Sequence, residues 1–155
     1  MNTILASAVA VVGTLIGSWS TYLFQRRTVE RTEAANREER LRQERLAAYS
    51  AYAGAVTDLK RALITLWFRR RRTPGDEELA AAQLESDRLG AVAESAAFRL
   101  RLVADEPVLR PLMEAISAEL GEIVHAEDRQ AVIAIEARFE QAVTAFIDAA
   151  AAQVR

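Results

Sequence analysis

The chain has 155 residues, a formal charge of −2, one histidine and no cysteine. It therefore cannot assemble a Cys–His pair, a zinc site of ordinary ligand count or a two-histidine metal motif, and no phosphate loop, Gly-x-Ser-x-Gly turn or dinucleotide fingerprint is present. The small net charge conceals an asymmetry: residues 26–72 carry 13 basic and 6 acidic side chains, residues 73–155 carry 7 and 16.

Residues 2–25 hold no charged side chain, and Arg26 and Arg27 follow at once. From Ile4 to Phe24 a helix would rise by about 1.5 Å per residue, close to the roughly 30 Å hydrocarbon thickness of a bilayer. A single transmembrane helix over residues 1–25 is the first expectation. Secretory signals begin with a positive segment and have a shorter apolar run; here Met1-Asn2-Thr3 lacks Lys and Arg, and the best cleavage candidate, Ser18-Trp19-Ser20, is followed by more apolar residues. The competing reading is a secreted helical binding protein with a cleaved signal peptide. Arg26, Arg27, Arg31, Arg37 and Arg40 all follow the span, so the positive-inside rule puts the N-terminus outside and the remainder in the cytoplasm. Trp19 and Tyr22, with Arg26 and Arg27, mark the inner boundary, where amphipathic aromatics and cations settle. Gly13 and Gly17 form a GxxxG pattern, a candidate helix-dimer face for a homodimer, although glycine is also simply common in membrane helices.

Residues 26–48 read as a charged juxtamembrane stalk helix, with Val29, Leu41 and Leu46 as its large apolar residues. Such a helix is held locally, by i,i+4 pairs such as Glu33–Arg37 and Glu38–Arg42 worth about 0.2–0.5 kcal/mol each. A helix polar on all sides bridges between packed parts.

From Tyr49 the pattern becomes periodic. Tyr49, Tyr52, Val56, Leu59, Leu63 and Leu66 alternate 3 and 4 apart, the seam of a helix packed lengthwise on others. Thr73-Pro74-Gly75-Asp76 is a turn in which Thr73 can cap and Pro74 can take the first helical position. A second helix, from about Asp76 to Ala104, carries Leu79, Ala82, Ser86, Leu89, Ala93, Ala96, Leu100 and Val103; its small residues imply close helix approach. Asp105-Glu106-Pro107 reads as a cap and first turn, and a third helix with Leu109, Leu112, Ile116, Leu120 and Ile123 runs to about Val124, Pro111 being placed to distort its start. After a break at Ala126-Glu127-Asp128, the last helix presents Val132, Ile135, Phe139, Ala142, Phe146 and Ala149. The expected fold class is all-α: a transmembrane helix, a stalk helix, and an antiparallel four-helix-type bundle over residues 49–155 with short connections.

The run GTLIGSWSTYLFQRRTVERTEAANREERLRQERLAAYSAYAGAV, with LVADEPVL further on, resembles small single-span, membrane-anchored helical proteins of actinobacteria that have no assigned activity. The likeness covers most of the chain, most strongly residues 13–56. It implies an anchored bundle and transfers no functional residue. The plan of one span and an Ala/Arg/Glu-rich helix is also similar to the membrane-anchored b subunit of rotary ATP synthases, but Pro74, Gly75, Pro107 and Pro111 interrupt what should be a continuous helix.

Arg69, Arg70, Arg71 and Arg72 form a candidate docking patch for an acidic protein, lipid headgroups or nucleic acid. The alternative is structural: cations at a helix C-terminus complement its dipole and face Asp76, Glu77 and Glu78 across the turn. Nucleic acid is not expected, since no recognition motif accompanies the arginines. Glu122 and His125 match one half of a di-iron Glu-x-x-His pair, but that chemistry needs a second copy and two further glutamates, so His125 is read as a helix-end residue. Lys60 is the single lysine beside 19 arginines. The sequence thus predicts no catalytic residue, cofactor or metal, and a non-enzymatic membrane-anchored interaction or scaffolding protein.

Overall fold

The computed structural model describes the backbone of residues 2–72, 75–104 and 107–154, with side chains from residue 33 onward apart from residues 34, 35 and 76 within the helices. Four helices follow one another: α1 Asn2–Arg71, α2 Asp76–Val103, α3 Leu109–His125 and α4 Arg129–Gln153. The chain is all-α, and no strand occurs among the described residues. It divides into two units, Met1–Leu41 and Arg42–Arg155. Among the described residues no helix is long and apolar enough to cross a membrane. The side chains of residues 2–25, on which the transmembrane expectation rests, lie outside that set.

In the first unit, the described side chains include the exposed pair Glu33–Arg37 at 3.8 Å. In the second, packing starts before the periodic seam does: Ala48 is fully buried, and Arg42 Nε donates to the Val154 carbonyl at 2.6 Å. Further along, the two helices run antiparallel. Tyr49 and Tyr52 meet Phe146 near the end of α4, Lys60 meets Glu136 and Glu140 at its middle, and Trp67 Nε1 donates to the Ala126 carbonyl just before α4 begins, at 2.9 Å. The α1–α2 turn reverses the chain in the same way, pairing Arg69 with Glu78 and Arg70 with Gln83.

The four apolar seams become one core. Tyr49, Tyr52, Val56 and Leu66 from α1 are buried, as are Ala93 and Leu100 from α2, Leu109, Ile116, Leu120 and Ile123 from α3, and Val132, Ile135, Phe139 and Phe146 from α4. Each large apolar side chain so enclosed contributes about 1.5–3 kcal/mol. Leu59, Leu63, Ala96, Val103, Leu112, Ala142 and Ala149 are partly buried and pack against that cluster. Phe146 is a junction: its ring is edge-on to Tyr49 at 6.3 Å and tilted to Tyr52 at 5.1 Å, geometries that ring quadrupoles favour.

Two local expectations change. The N-cap of α2 is Gly75, in extended backbone and without a side-chain cap bond, while Thr73 and Pro74 lie outside the described residues. Pro111 does not deform α3. It is the third residue of that helix, where backbone N–H groups lack an intrahelical acceptor in any case, so proline forfeits no bond. Helix α3 starts after Val108; Asp105 and Glu106, expected to cap it, are outside the described residues. At the last break, Asp128 caps α4 by accepting from Ala131 N at 2.8 Å, an arrangement worth about 0.5–2 kcal/mol.

Candidate functional site

The run Arg69–Arg72 ends α1, and most of it is turned to internal work. Arg69 Nη1 donates to both the carbonyl and the carboxylate of Glu78, each at 3.2 Å. Arg70 Nη2 donates to Gln83 Oε1 at 2.8 Å. Arg71 reaches furthest along the chain: its Nη2 donates to the carbonyls of Ala126 at 2.6 Å and Glu127 at 2.8 Å while its guanidinium lies 4.0 Å from the centre of the Trp67 ring. Arg71 therefore satisfies carbonyls at the C-terminal end of α3, where a cation also complements the helix dipole, and gains a cation–π contact of about 0.5–2 kcal/mol. Arg72 is exposed. Three members of the proposed docking patch thus fasten the α1–α2 turn and the α3–α4 junction.

Lys60 has a second, unforeseen position. It is only 7 % exposed, with Nζ 2.7 Å from Glu136 Oε1 and 3.3 Å from Glu140 Oε1 and 5.4 Å from the Phe139 ring centre. The signal was available: Lys60 falls four residues after the seam residue Val56, and Glu136 and Glu140 are four apart on α4, a spacing that puts both carboxylates on one helix face.

A cavity of about 440 Å³ opens where α2, α3 and α1 meet. Ala97, Phe98, Leu109 and Met113 supply apolar wall, Arg101, Arg110 and Glu114 supply charge, and the Tyr52 and Ser117 hydroxyls are also in the lining. Burial pushes the Tyr52 phenol up to about 12, a shift partly offset by its hydrogen bond with Ser117. Tyr52 is thus a neutral phenol at any ordinary pH, a hydrogen-bonding group and not a base. The volume is within the roughly 300–1,000 Å³ of small-ligand pockets.

Gly13, Gly17, Trp19, Tyr22, Arg26 and Arg27 lie outside the residues whose side chains are described. His125 is the exposed last residue of α3. Among the described residues, no three His, Cys, Asp or Glu side chains converge as metal ligands would.

Residues 46–154 match the family profile of the KilB plasmid transfer protein. The match covers the helical core from just before Ala48 to the end of α4. No curated protein and no solved structure matches the chain.

Proposed function

The chain belongs to the KilB plasmid transfer protein family, and from that membership we propose that it is a non-enzymatic, membrane-anchored interaction or scaffolding protein serving plasmid transfer. The observation that carries this reading is where the match falls: it covers the packed helices, whose polar groups bind and brace. The buried cation is neutralised by two carboxylates, and the arginine run is largely engaged in the helix junctions. The groups left facing outward suit recognition.

Support for the anchor comes from the uncharged residues 2–25 and the arginines that follow. That segment supplies about 31 Å of helix from Ile4 to Phe24, and juxtamembrane arginines are each attracted to an anionic inner leaflet by about 1 kcal/mol. In this reading the N-terminus is outside, the bundle is cytoplasmic, and Gly13 and Gly17 give two spans a close packing face.

The test uses cells that carry the plasmid. Deleting the chain should abolish or strongly reduce plasmid transfer, and restoring it should recover transfer with the protein in the membrane fraction, released by detergent and with its C-terminus protected in intact cells. Unchanged transfer after deletion would refute the role. A mature chain beginning near residue 20 and found outside the cell would refute the anchor.

A further inference from the structure

Helix α2 is held to the core by much less than its neighbours are. Among its described side chains three are buried, Ser86, Ala93 and Leu100, so a helix of 28 residues encloses one large apolar group, with Leu79, Leu89 and Val103 partly buried beside it. Helix α3, with 17 residues, encloses Leu109, Ile116, Leu120 and Ile123, and α4 encloses Phe139 and Phe146 besides Val132 and Ile135. Other large apolar residues of α2 stay outside: Leu84 is 72 % exposed, Phe98 54 % and Leu102 87 %. Burial of apolar surface is the main favourable contribution to packing, and for its length α2 gains less of it than α3 or α4.

The other helices are fastened to one another without α2. Lys60 of α1 meets Glu136 and Glu140 of α4, the rings of Tyr49 and Tyr52 meet Phe146, and Arg138 of α4 holds Glu119 of α3 at 2.9 Å. At the far end Trp67 and Arg71 donate to the Ala126 carbonyl just past α3. The ties of α2 are of another kind. Arg69–Glu78 and Arg70–Gln83 are exposed contacts in its first two turns, of a class worth little in water, and its N-cap Gly75 makes no side-chain cap bond. Gly90, near its middle, weakens the helix itself. Near its other end Ala97, Phe98, Arg101 and Ala104 line the cavity of about 440 Å³ together with Leu109 and Met113 of α3, so part of α2 borders open space where it would otherwise gain dispersion contacts.

We propose that α2 is a strap that opens as one unit, leaving α3, α4 and the α1 segment from Arg42 onward packed together. Gly75, in extended backbone, and Ala104, outside helical geometry, are where it parts from the chain on either side. Segments with few buried apolar contacts open at free energies below that of global unfolding. Opening removes the α2 wall of the cavity and uncovers Tyr52, Leu109 and Met113. This device follows from the packing alone and holds whether or not the plasmid-transfer reading does.

Native-state hydrogen exchange on the full-length chain in lipid nanodiscs, read peptide by peptide by mass spectrometry, tests it. In the unaltered protein, amides at the middle of α2 should be protected about tenfold less, or lower still, than those at the middles of α3 and α4. Phe146→Leu then separates local opening from unfolding of the whole. The Phe146 ring packs on Tyr49 and Tyr52, contacts that persist while α2 is open, so exchange in α4 should accelerate by about threefold to tenfold and exchange in α2 by less than about twofold. Equal protection in the three helices, acceleration of α2 in step with α4, or no acceleration of α4 would each overturn the proposal.

Discussion

The clearest energetic test of the bundle concerns Lys60. Its ammonium is enclosed, but its partners are not: the Glu136 and Glu140 side chains are 40 % and 66 % exposed. Removing one member of a fully buried pair costs about 3–5 kcal/mol, whereas exposed pairs are worth about 0–1 kcal/mol. This site lies between those limits, and unevenly. Glu136→Gln, which removes the shorter contact, should cost about 1–2 kcal/mol, and Glu140→Gln less than about 1 kcal/mol. The double variant strands an ammonium against the Phe139 ring and should cost about 2–4 kcal/mol. Adding Lys60→Met to the double variant should then recover most of that loss, since a methionine of similar reach needs no counter-ion. Urea unfolding of the full set reads these energies as midpoint shifts at constant slope, and thermal midpoints should follow by roughly 3–6 °C per kcal/mol for a unit of this size. If the three substitutions were additive, with Lys60→Met deepening the loss, the enclosed ion pair would not be what joins α1 to α4.

Phe146→Ala removes a fully buried ring and both its tyrosine contacts, and should destabilise the protein by about 3–5 kcal/mol; denaturant titration checks this, and a loss below about 1 kcal/mol would contradict the packing. Gly54 and Gly121 lie within helices with open space where a Cβ would stand, so Gly54→Ala and Gly121→Ala should each raise stability by about 0.5–1 kcal/mol, seen as a higher thermal midpoint. Tyr52 has its pKa raised in the folded state, from 10.0 to about 12. Its contribution to stability is complete below the unfolded tyrosine value and is lost as pH rises through that upper value, so the fall in stability between about pH 10 and 12 should be smaller in Tyr52→Phe, with tyrosinate absorbance reporting the titration.

Much of the bundle was legible because one rule generates it. Residues repeating 3 and 4 apart must share a helix face, and every seam residue assigned from Tyr49 to Ala149 is buried or partly buried. The breaks were legible for the same reason that they exist: Pro74-Gly75, Pro107 and Ala126-Asp128 interrupt those repeats, and Asp128 caps the helix that follows. Partnership was harder to read. The pattern marks Arg69, Arg70 and Arg71 as cations near a helix end but does not say that Arg71 reaches across to the carbonyls of Ala126 and Glu127, since long-range contacts depend on the arrangement of helices. Lys60 was passed over because a charged residue beside an apolar seam resembles a solvated flank until the opposing pair of glutamates is set against it.

The central claim is that residues 2–25 serve as a tether for a bundle that functions in plasmid transfer. The most direct measurement compares transfer frequency, at equal protein level, among cells carrying the full chain, a chain lacking residues 2–25, and a chain in which those residues are exchanged for an unrelated single span of the same orientation. Transfer should be lost with the deletion and restored by the exchanged span. Transfer at the full level from the chain lacking residues 2–25 would contradict the account.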